Sequence, residues 1–239
     1  MCLPKPRERN KAVIKKVHLK EEIYHDDRGR IREKMHTLNG KMEGDYYSYY
    51  GNGRVLVKMS FKNGLKNGEA MSYYRDGEIR EKGTLHRDKL DGEYRCFYEN
   101  GQVREIEYYR DGKLEGPYLL YYRNGQIKES ESFKAGKFHG DYVSYYRNGQ
   151  IKEKGSFLND KRTGLYEAFF QDGKIKERAT YQNGKLVGKF LAFNSNGKVL
   201  SKNEMNGDLS EIEDLEDITE KKQCIDELLS KLARFDKEN

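Results

Sequence analysis

The chain of 239 residues contains no tryptophan, three prolines and three cysteines. Cys2, Cys96 and Cys224 lie far apart, and they match neither a disulfide framework nor the spacing of a metal site. No apolar run reaches the roughly 18 residues that a transmembrane helix needs, and no apolar stretch follows the charged N-terminus as it would in a signal peptide. We therefore expect a cytoplasmic protein in a reducing compartment.

Hydrophobic residues are also scarce, at 35% of the chain against 36% charged residues. With a mean hydropathy of −1.05, this balance approaches that of disordered chains. The aromatic residues argue for a fold instead, because 19 tyrosines and 10 phenylalanines form a recurring set of rings. A tyrosine ring can pack while its hydroxyl stays in water, so the composition favours a thin, hydrated sheet.

Motifs that would indicate catalysis are missing. His18, His25, His36, His86 and His139 show no ligand spacing, and the chain has no P-loop, dinucleotide fingerprint or nucleophile elbow. We predict no catalytic residue, no cofactor and no metal, and hence a protein that is not an enzyme.

What the chain does have is a glycine at every 24th position. The first series is Gly29, Gly53, Gly77, Gly101, Gly125, Gly149, Gly173 and Gly197. A second series with the same period is Gly44, Gly68, Gly92, Gly116, Gly140, Gly164 and Gly188. Fixed periodicity over most of a chain indicates an array of units that pack on their neighbours.

Residues 113–136 show what one unit forms. Asn124-Gly125 between apolar runs predicts a type I′ hairpin turn with positive φ at both residues, and a second turn follows at Ala135-Gly136. The whole array then becomes an antiparallel meander of about 14 to 16 strands. A two-residue turn would pair Tyr122 with Ile127, Tyr118 with Glu131 and Gly116 with Phe133, whose ring would cover the glycine.

This register assigns side chains to two faces. Tyr118, Tyr122, Ile127 and Phe133 share one face with a glutamate series that includes Glu129. The opposite face carries an aromatic series (Tyr49, Tyr73, Phe97, Tyr121, Tyr145 and Phe169) and a basic series (Arg32, Arg80, Arg104, Lys128, Lys152 and Lys176). A β-bulge would exchange such assignments.

The recurring pattern G-x-Y-x-x-Y-Y-x-x-N-G-x-I-K-E, followed by an aromatic residue and G-K-x-x-G, resembles the bacterial MORN variant repeat. Residues 140–153 (GDYVSYYRNGQIKE) and 116–129 are close matches. The resemblance covers about residues 20–207 and implies hairpins in an open sheet. Many bacterial members are labelled YwqK-type antitoxins, which implies a protein that binds and silences a partner toxin without catalytic residues of its own.

The pattern fails at one internal place and at both ends. Leu56 and Val57 replace a basic residue and a glutamate, and Ala70-Met71 replaces a leading tyrosine, so this apolar patch is either a partner site or the seat of an N-terminal cap. Residues 1–19 are a basic arm, 20–207 the repeat array, and 208–239 an acidic linker followed by an amphipathic α-helix. The helical spacing is set by Ile218, Ile225, Leu228, Leu229, Leu232 and Phe235. This helix would cover the last open sheet edge or dock on a partner or a second copy.

We expect a non-catalytic protein-binding scaffold, of the antitoxin, immunity or inhibitor type, that blocks a toxin, nuclease or defence enzyme. The alternative is a binder of RNA, DNA or anionic lipid through interleaved tyrosines and basic residues. The protein would be a monomer, or a homodimer through the C-terminal helix. The predicted partner-binding residues are Leu56, Val57, Met71, Tyr73, Arg80, Arg104, Tyr121, Lys128, Tyr145 and Lys152.

Overall fold

In a computed structural model that describes residues 19–204, the chain forms one all-β sheet of 20 strands. All the strand pairs are antiparallel and join strands that are close along the chain, which confirms the predicted open meander of hairpin repeats. The predicted C-terminal helix lies outside the described residues, as do residues 1–18 of the predicted N-terminal arm.

The strands are short, and most have six to nine residues. They are β1 (Lys20–His25), β2 (Ile31–Leu38), β3 (Lys41–Met42), β4 (Gly44–Tyr49), β5 (Val55–Lys62), β6 (Leu65–Tyr73), β7 (Ile79–His86), β8 (Lys89–Leu90), β9 (Gly92–Phe97), β10 (Val103–Arg110), β11 (Lys113–Leu114), β12 (Gly116–Tyr121), β13 (Ile127–Lys134), β14 (Lys137–Tyr145), β15 (Ile151–Leu158), β16 (Lys161–Phe169), β17 (Ile175–Gln182), β18 (Lys185–Leu186), β19 (Lys189–Phe193) and β20 (Val199–Glu204). The short strands β3, β8, β11 and β18 each pair with the same neighbour as the strand that follows them. Counted with the strand that follows it, each short strand adds no width, so the sheet has 16 strand lines, at the upper end of the expected range.

The turn at Asn124-Gly125 is not the predicted type I′ turn. Tyr122 donates its N–H to the Gln126 carbonyl at 2.8 Å, and the Gly125 N–H bonds the Tyr122 carbonyl at 2.9 Å. This pattern closes a three-residue loop in which Gly125 has φ 83° and Asn124 stays at negative φ, as in a type I turn with a glycine bulge. The Asn124 side chain accepts the Gln126 N–H instead, at 3.1 Å.

A β-bulge next to the turn restores the predicted register. Tyr121 pairs with Ile127, so the predicted Tyr122–Ile127 pair is wrong, but Lys128 is then skipped and Leu120 pairs with Glu129. From there the predicted pairs Tyr118–Glu131 and Gly116–Phe133 are confirmed. The extra residue in the turn loop and the skipped Lys128 shift the register by equal and opposite amounts. Only the residues beside the turn therefore change face, and Ile127 lies on the face of Tyr121 rather than that of Tyr118.

The second turn of each unit is the one with type I′ geometry. At Asn63-Gly64 both residues have positive φ, 54° and 84°, and the flanking Lys62 and Leu65 pair directly. The same backbone occurs at Ala135-Gly136, although alanine lacks the side chain that usually favours it.

The second glycine series has a different cause from the one expected. Gly116 does pair with Phe133, but it stands at the interruption between β11 and β12 with φ 108°, a conformation that a side chain rarely adopts. The Phe133 ring packs edge-to-face on Tyr118, with centroids 6.0 Å apart. Backbone conformation therefore explains this glycine.

One face of the sheet holds the core, and we call it the packed face. Its buried residues include Tyr46, Val57, Met59, Leu85 and Tyr94, and a smaller cluster forms farther along the chain around Ala179, Tyr181 and Leu186. In five hairpins a tyrosine of the packed face meets a second aromatic ring edge-to-face, as Tyr94 meets Tyr109 at 6.1 Å. We call the opposite side the open face.

Tyrosine hydroxyls join each repeat to the next near the first turn. In each case a hydroxyl donates to the carbonyl oxygen of the residue 23 positions later, at 2.6–2.7 Å. The pairs are Tyr50–Tyr73, Tyr74–Phe97, Tyr98–Tyr121, Tyr122–Tyr145 and Tyr146–Phe169. The next residue in the series, Phe170, has no hydroxyl to donate.

Candidate interaction surface

An aromatic row runs along the open face, hairpin after hairpin. In each hairpin one aromatic residue pairs with one β-branched residue across the strands. The pairs are Tyr49–Val55, Tyr73–Ile79, Phe97–Val103, Tyr121–Ile127, Tyr145–Ile151, Phe169–Ile175 and Phe193–Val199. None of these side chains is buried, and Ile127, Ile151 and Val199 are more than one-third exposed. The row is therefore a continuous apolar surface that the core does not use.

A second line, the central row, lies beside it on the open face. Cross-strand pairing gives the order Lys34, Tyr47, Lys58, Met71, Lys82, Arg95, Ile106, Leu119, Ser130, Val143, Lys154, Glu167, Arg178 and Leu191. Its two ends are basic and its middle is apolar, with Glu167 as its one acid. The ammonium of Lys58 lies 5.8 Å from the Tyr47 ring centroid, within the range of a cation–π contact.

Acidic residues at the margin of the open face pair with much of the basic charge. Lys82 Nζ lies 2.7 Å from Glu69 Oε1, and Lys34 Nζ lies 2.6 Å from Glu21 Oε1. The Arg95 guanidinium donates to Glu93 at 2.6 Å, and this contact holds the pKa of the Glu93 carboxyl below its usual range. The open face thus combines an apolar middle with basic residues that are largely paired with neighbouring carboxylates.

The structure divides the predicted partner-binding residues into three groups. Met71, Tyr73, Tyr121 and Tyr145 lie half-buried on the open face, within the two rows just described. Their assignment to a partner stays a prediction, and the structure brings the three tyrosines together in a single row.

The apolar departure from the repeat pattern belongs mostly to the core. Val57 is 4% exposed in the packed-face cluster, and Leu56 packs against the same cluster. Val57 therefore has little surface to offer a partner. Met71, on the neighbouring strand, is on the other side of the sheet, so the residues of the predicted patch do not form one surface.

The basic series is held by the glutamates that follow it in sequence. Arg80 lies 3.3 Å from Glu81, and Lys128 lies 3.7 Å from Glu129, while the Arg104 guanidinium stands 3.7 Å from Glu105. Successive residues of a strand normally point to opposite faces, and the bulge at this position brings these pairs together. Lys152 is exposed.

The packed face buries a row of glutamates from the series that the sequence placed on the same face as Tyr118. Glu81, Glu105 and Glu129 are each less than 5% exposed. The Tyr118 hydroxyl donates to Glu105 at 2.6 Å, and the Ser72 hydroxyl donates to Glu81 at 2.6 Å. Hydroxyl donors of this kind are what a buried carboxylate needs.

Two further carboxylates show opposite effects of this environment. Burial, reinforced by the charge of Glu105, raises the pKa of Glu107 to about 8. Burial also acts to raise the pKa of Glu153, but hydrogen bonds from Tyr142 at 2.7 Å and Tyr166 at 2.9 Å outweigh it and hold that pKa below its usual range. These two carboxylates therefore differ in how far hydrogen bonds from hydroxyl groups offset the effect of burial.

Between Leu19 and Glu204, the structure places no group of three histidine, cysteine or acidic residues where they could hold a metal ion. The described part of the chain also has no helix that is long and apolar enough to span a membrane.

Sequence reasoning missed the central row and half of the aromatic row. The central row takes one residue from each strand, and the residue type at this position varies from strand to strand and repeat to repeat, as in Ile106, Leu119 and Val143. The sequence of one repeat therefore does not reveal the row. The β-branched partners, such as Ile127, were missed because the predicted turn placed them on the other face.

Fold and surface together define an all-β protein of tandem hairpin repeats. Six segments match the MORN repeat variant family, at residues 42–63, 66–86, 90–111, 114–135, 138–159 and 162–183. Because these segments make up more than half of the sequence, the chain belongs to the MORN repeat variant family. Its repeats are generally binding modules, and the scaffold is generally non-enzymatic. No curated protein matches the chain.

Proposed function

We propose that this chain is a non-catalytic scaffold that binds another protein along its open face. The observation that carries the proposal is the aromatic row, a continuous line of half-exposed aromatic and β-branched side chains outside the core. Contiguous exposed apolar surface marks interaction sites, and aromatic residues are enriched where protein interfaces are buried. Across its 14 strand lines the row extends roughly 60 Å, at about 4.8 Å per strand.

Within this function, we propose the antitoxin, immunity or inhibitor type of action in a bacterial cytoplasm. The partner would be a toxin, nuclease or defence enzyme that is blocked by being covered. Support comes from the resemblance of residues 116–129 and 140–153 to repeats of the YwqK-type family, and from a surface long enough to cover an active site.

One observation favours a second candidate, the binding of an anionic ligand such as single-stranded nucleic acid or anionic lipid. Basic groups stand over aromatic rings on the open face, with Lys58 at 5.8 Å from Tyr47 and Lys154 at 5.5 Å from Phe169. Aromatic platforms beside basic groups suit unpaired bases. The ion pairs of Lys34, Lys82 and Arg95 reduce the free positive charge, so we place protein binding first.

Affinity capture with a matched pair of variants tests the proposal. The tagged full chain and the variant Tyr121→Ser/Tyr145→Ser are incubated with host extract, and co-purifying proteins are quantified by mass spectrometry. We expect a protein that is enriched by the parent chain and depleted at least about tenfold by the variant, since buried aromatic anchors dominate interface energies. The control Lys113→Ser/Lys137→Ser changes two exposed residues at the second turns and should capture as the parent does.

The outcomes separate the candidates. Equal capture by the parent chain and the tyrosine variant would contradict open-face binding. Recovery of nucleic acid or lipid, with affinity that falls steeply as salt rises, would favour the second candidate. The inhibitor role requires that the captured protein lose activity, or its toxicity on co-expression, in the presence of the parent chain.

A further inference from the structure

We propose that residues 208–239 of this chain dock on its own open face, over β15–β19. The site, which we call the C-terminal patch, consists of Lys154, Leu165, Glu167, Phe169, Arg178 and Leu191. Apolar side chains of the docked segment would lie on Leu165, Phe169 and Leu191, and its carboxylates would lie near Lys154 and Arg178.

The charge of the patch is unbalanced around a single carboxylate. Glu167 Oε2 lies 3.1 Å from Lys154 Nζ, and Glu167 Oε1 accepts from Arg178 Nε at 2.9 Å and Nη2 at 2.6 Å. Glu167 is only 8% exposed, while Lys154 and Arg178 are 44% and 45% exposed. Two cations share one buried anion, so their outward sides present surplus positive charge to whatever lies on the face.

Apolar surface surrounds these charges. Leu165 is 51% exposed, and Leu191 pairs directly with Arg178 across the strands. The Phe169 ring, under the Lys154 ammonium, continues the aromatic row. An exposed leucine on a strand face that also carries half-buried leucine and phenylalanine gains by being covered.

The C-terminal segment has the complementary composition. Residues 208–217 contain six acidic residues and no basic residue, and Ile225, Leu228, Leu229 and Leu232 recur at helical spacing farther along the chain. The apolar stripe would lie on the leucines of the patch, and the acidic residues 208–217 would pass close to Lys154 and Arg178 as the chain crosses the face.

Chain length permits the contact. Four strand spacings separate β20 from β15, about 19 Å at 4.8 Å each. Residues 205–217, which end with the predicted linker at 208–217, span up to about 43 Å when extended. The segment can therefore turn back from Glu204 across the face without strain.

A helix also fits the open face better than it fits the sheet edge, which the sequence suggested as its position. A helix uses its backbone N–H and C=O groups internally, so it cannot pair with the unpaired groups of the edge strand β20. It can bury an apolar stripe on a face, where side chains make the contact.

Photo-cross-linking of the full chain tests this inference. In a Cys2→Ser background, a benzophenone maleimide attached to Cys224 reports what the segment touches, since Cys96 is 1% exposed and buried from the reagent. After irradiation of a dilute sample, mass spectrometry should locate intramolecular cross-links at patch residues such as Leu165 and Leu191. Cross-links confined to β20 or to the packed face, cross-links between molecules, or no cross-links would each overturn the proposal.

Charge reversal supplies the matched control. The variant Lys154→Glu/Arg178→Glu should lower the cross-link yield several-fold, whereas Lys161→Glu/Lys185→Glu, at exposed second-turn positions, should leave it unchanged. If the patch variant does not fold by circular dichroism, the yield of the parent chain is measured against salt, and it should fall as salt screens the charges. The inference does not depend on a protein partner, so failure of the capture experiment leaves it standing.

Discussion

Two sections of the packed face fill the same positions with opposite chemistry. In β5 the side chains are Val57 and Met59, and two repeats later, in β10, the equivalent positions hold Glu105 and Glu107. All four are less than 5% exposed. The two strands nevertheless pair in the same register with the strand before them, so this part of the repeat backbone does not depend on whether the face is apolar or acidic.

In the acidic section, tyrosine hydroxyl groups donate hydrogen bonds to the buried glutamates. Glu105 receives a hydrogen bond from Tyr118 and Glu107 receives one from Tyr109, both at 2.6 Å. Near Val57 and Met59 the corresponding ring is Phe61, which has no hydroxyl. A carboxylate is therefore tolerated where a tyrosine hydroxyl donates a hydrogen bond to it. Exchanging residues between the two sections should destabilise the protein unless their hydrogen-bonding or packing partners are exchanged as well.

The largest expected effect is the transfer of a carboxylate into the apolar section. Met59→Glu places a charge among Tyr46, Val57 and Leu85 with no tyrosine in the Phe61 position, and we expect a loss of about 3–5 kcal/mol in the free energy of unfolding at neutral pH. Urea denaturation followed by circular dichroism measures it. Met59→Leu is the volume-matched control and should cost less than about 1.5 kcal/mol. A small loss for the glutamate variant would show that the sections are interchangeable.

The reverse transfer should stabilise the protein. Glu107→Met/Tyr109→Phe copies the Met59 and Phe61 arrangement into β10, which removes a buried charge together with its hydroxyl donor. Replacing buried ionic groups by packed apolar ones is often worth about 1–4 kcal/mol, and we expect a gain in that range in urea denaturation at pH 8. The single variant Glu107→Met should gain less, because it leaves the Tyr109 hydroxyl without its acceptor. A double variant less stable than the parent would contradict the comparison.

Stability should also depend on pH through Glu107. Because burial raises its pKa from 4.5 to about 8, the folded state holds a proton that the unfolded state has released between these values. The free energy of unfolding should therefore fall as pH rises through this window, by about 1 kcal/mol per pH unit. Denaturation curves at several pH values should show a smaller slope for Glu107→Gln, while the exposed control Glu99→Gln keeps the parent slope. Equal slopes for the parent and Glu107→Gln would remove Glu107 as the cause.

The smallest effect concerns the tyrosine hydrogen bonds that join one repeat to the next. Their contribution to the free energy of unfolding should be the same in both sections. Tyr74→Phe and Tyr98→Phe each remove one hydrogen bond to the next repeat, and each should cost about 0.5–1.5 kcal/mol. Equal losses in urea denaturation would show that the links act independently of what fills the packed face. Phe170→Tyr, at the position where the series lacks a hydroxyl, is the converse test and should not destabilise.

Much of this fold follows from local sequence signals. The 24-residue period and the Asn-Gly pairs predict hairpins, a meander and the pairs Tyr118–Glu131 and Gly116–Phe133. The type of turn at Asn124-Gly125 does not follow, because Asn-Gly suits both a two-residue loop and a three-residue loop with a glycine bulge. The choice depends on the bulge at Lys128, which one strand alone does not reveal.

The candidate surface was less predictable than the fold. Tyr121 and Tyr145 stand out as repeated aromatic residues, whereas the burial of Val57 depends on packing against Met59 and Leu85 from neighbouring strands. The ion pairs that engage Arg80 and Lys128 depend on the bulge. Sequence periodicity thus indicates which residues recur, and three-dimensional pairing decides which of them are accessible.

The two opposite register shifts within each hairpin affect how the number of repeats in such a protein can change. Because the loop at Asn124-Gly125 and the skipped Lys128 together return the chain to its original phase, each unit begins and ends in the same alignment. A whole unit can then be gained or lost without shifting the strand register of the units that follow it. The length of the sheet, and with it the length of the open face, can therefore change in steps of two strands.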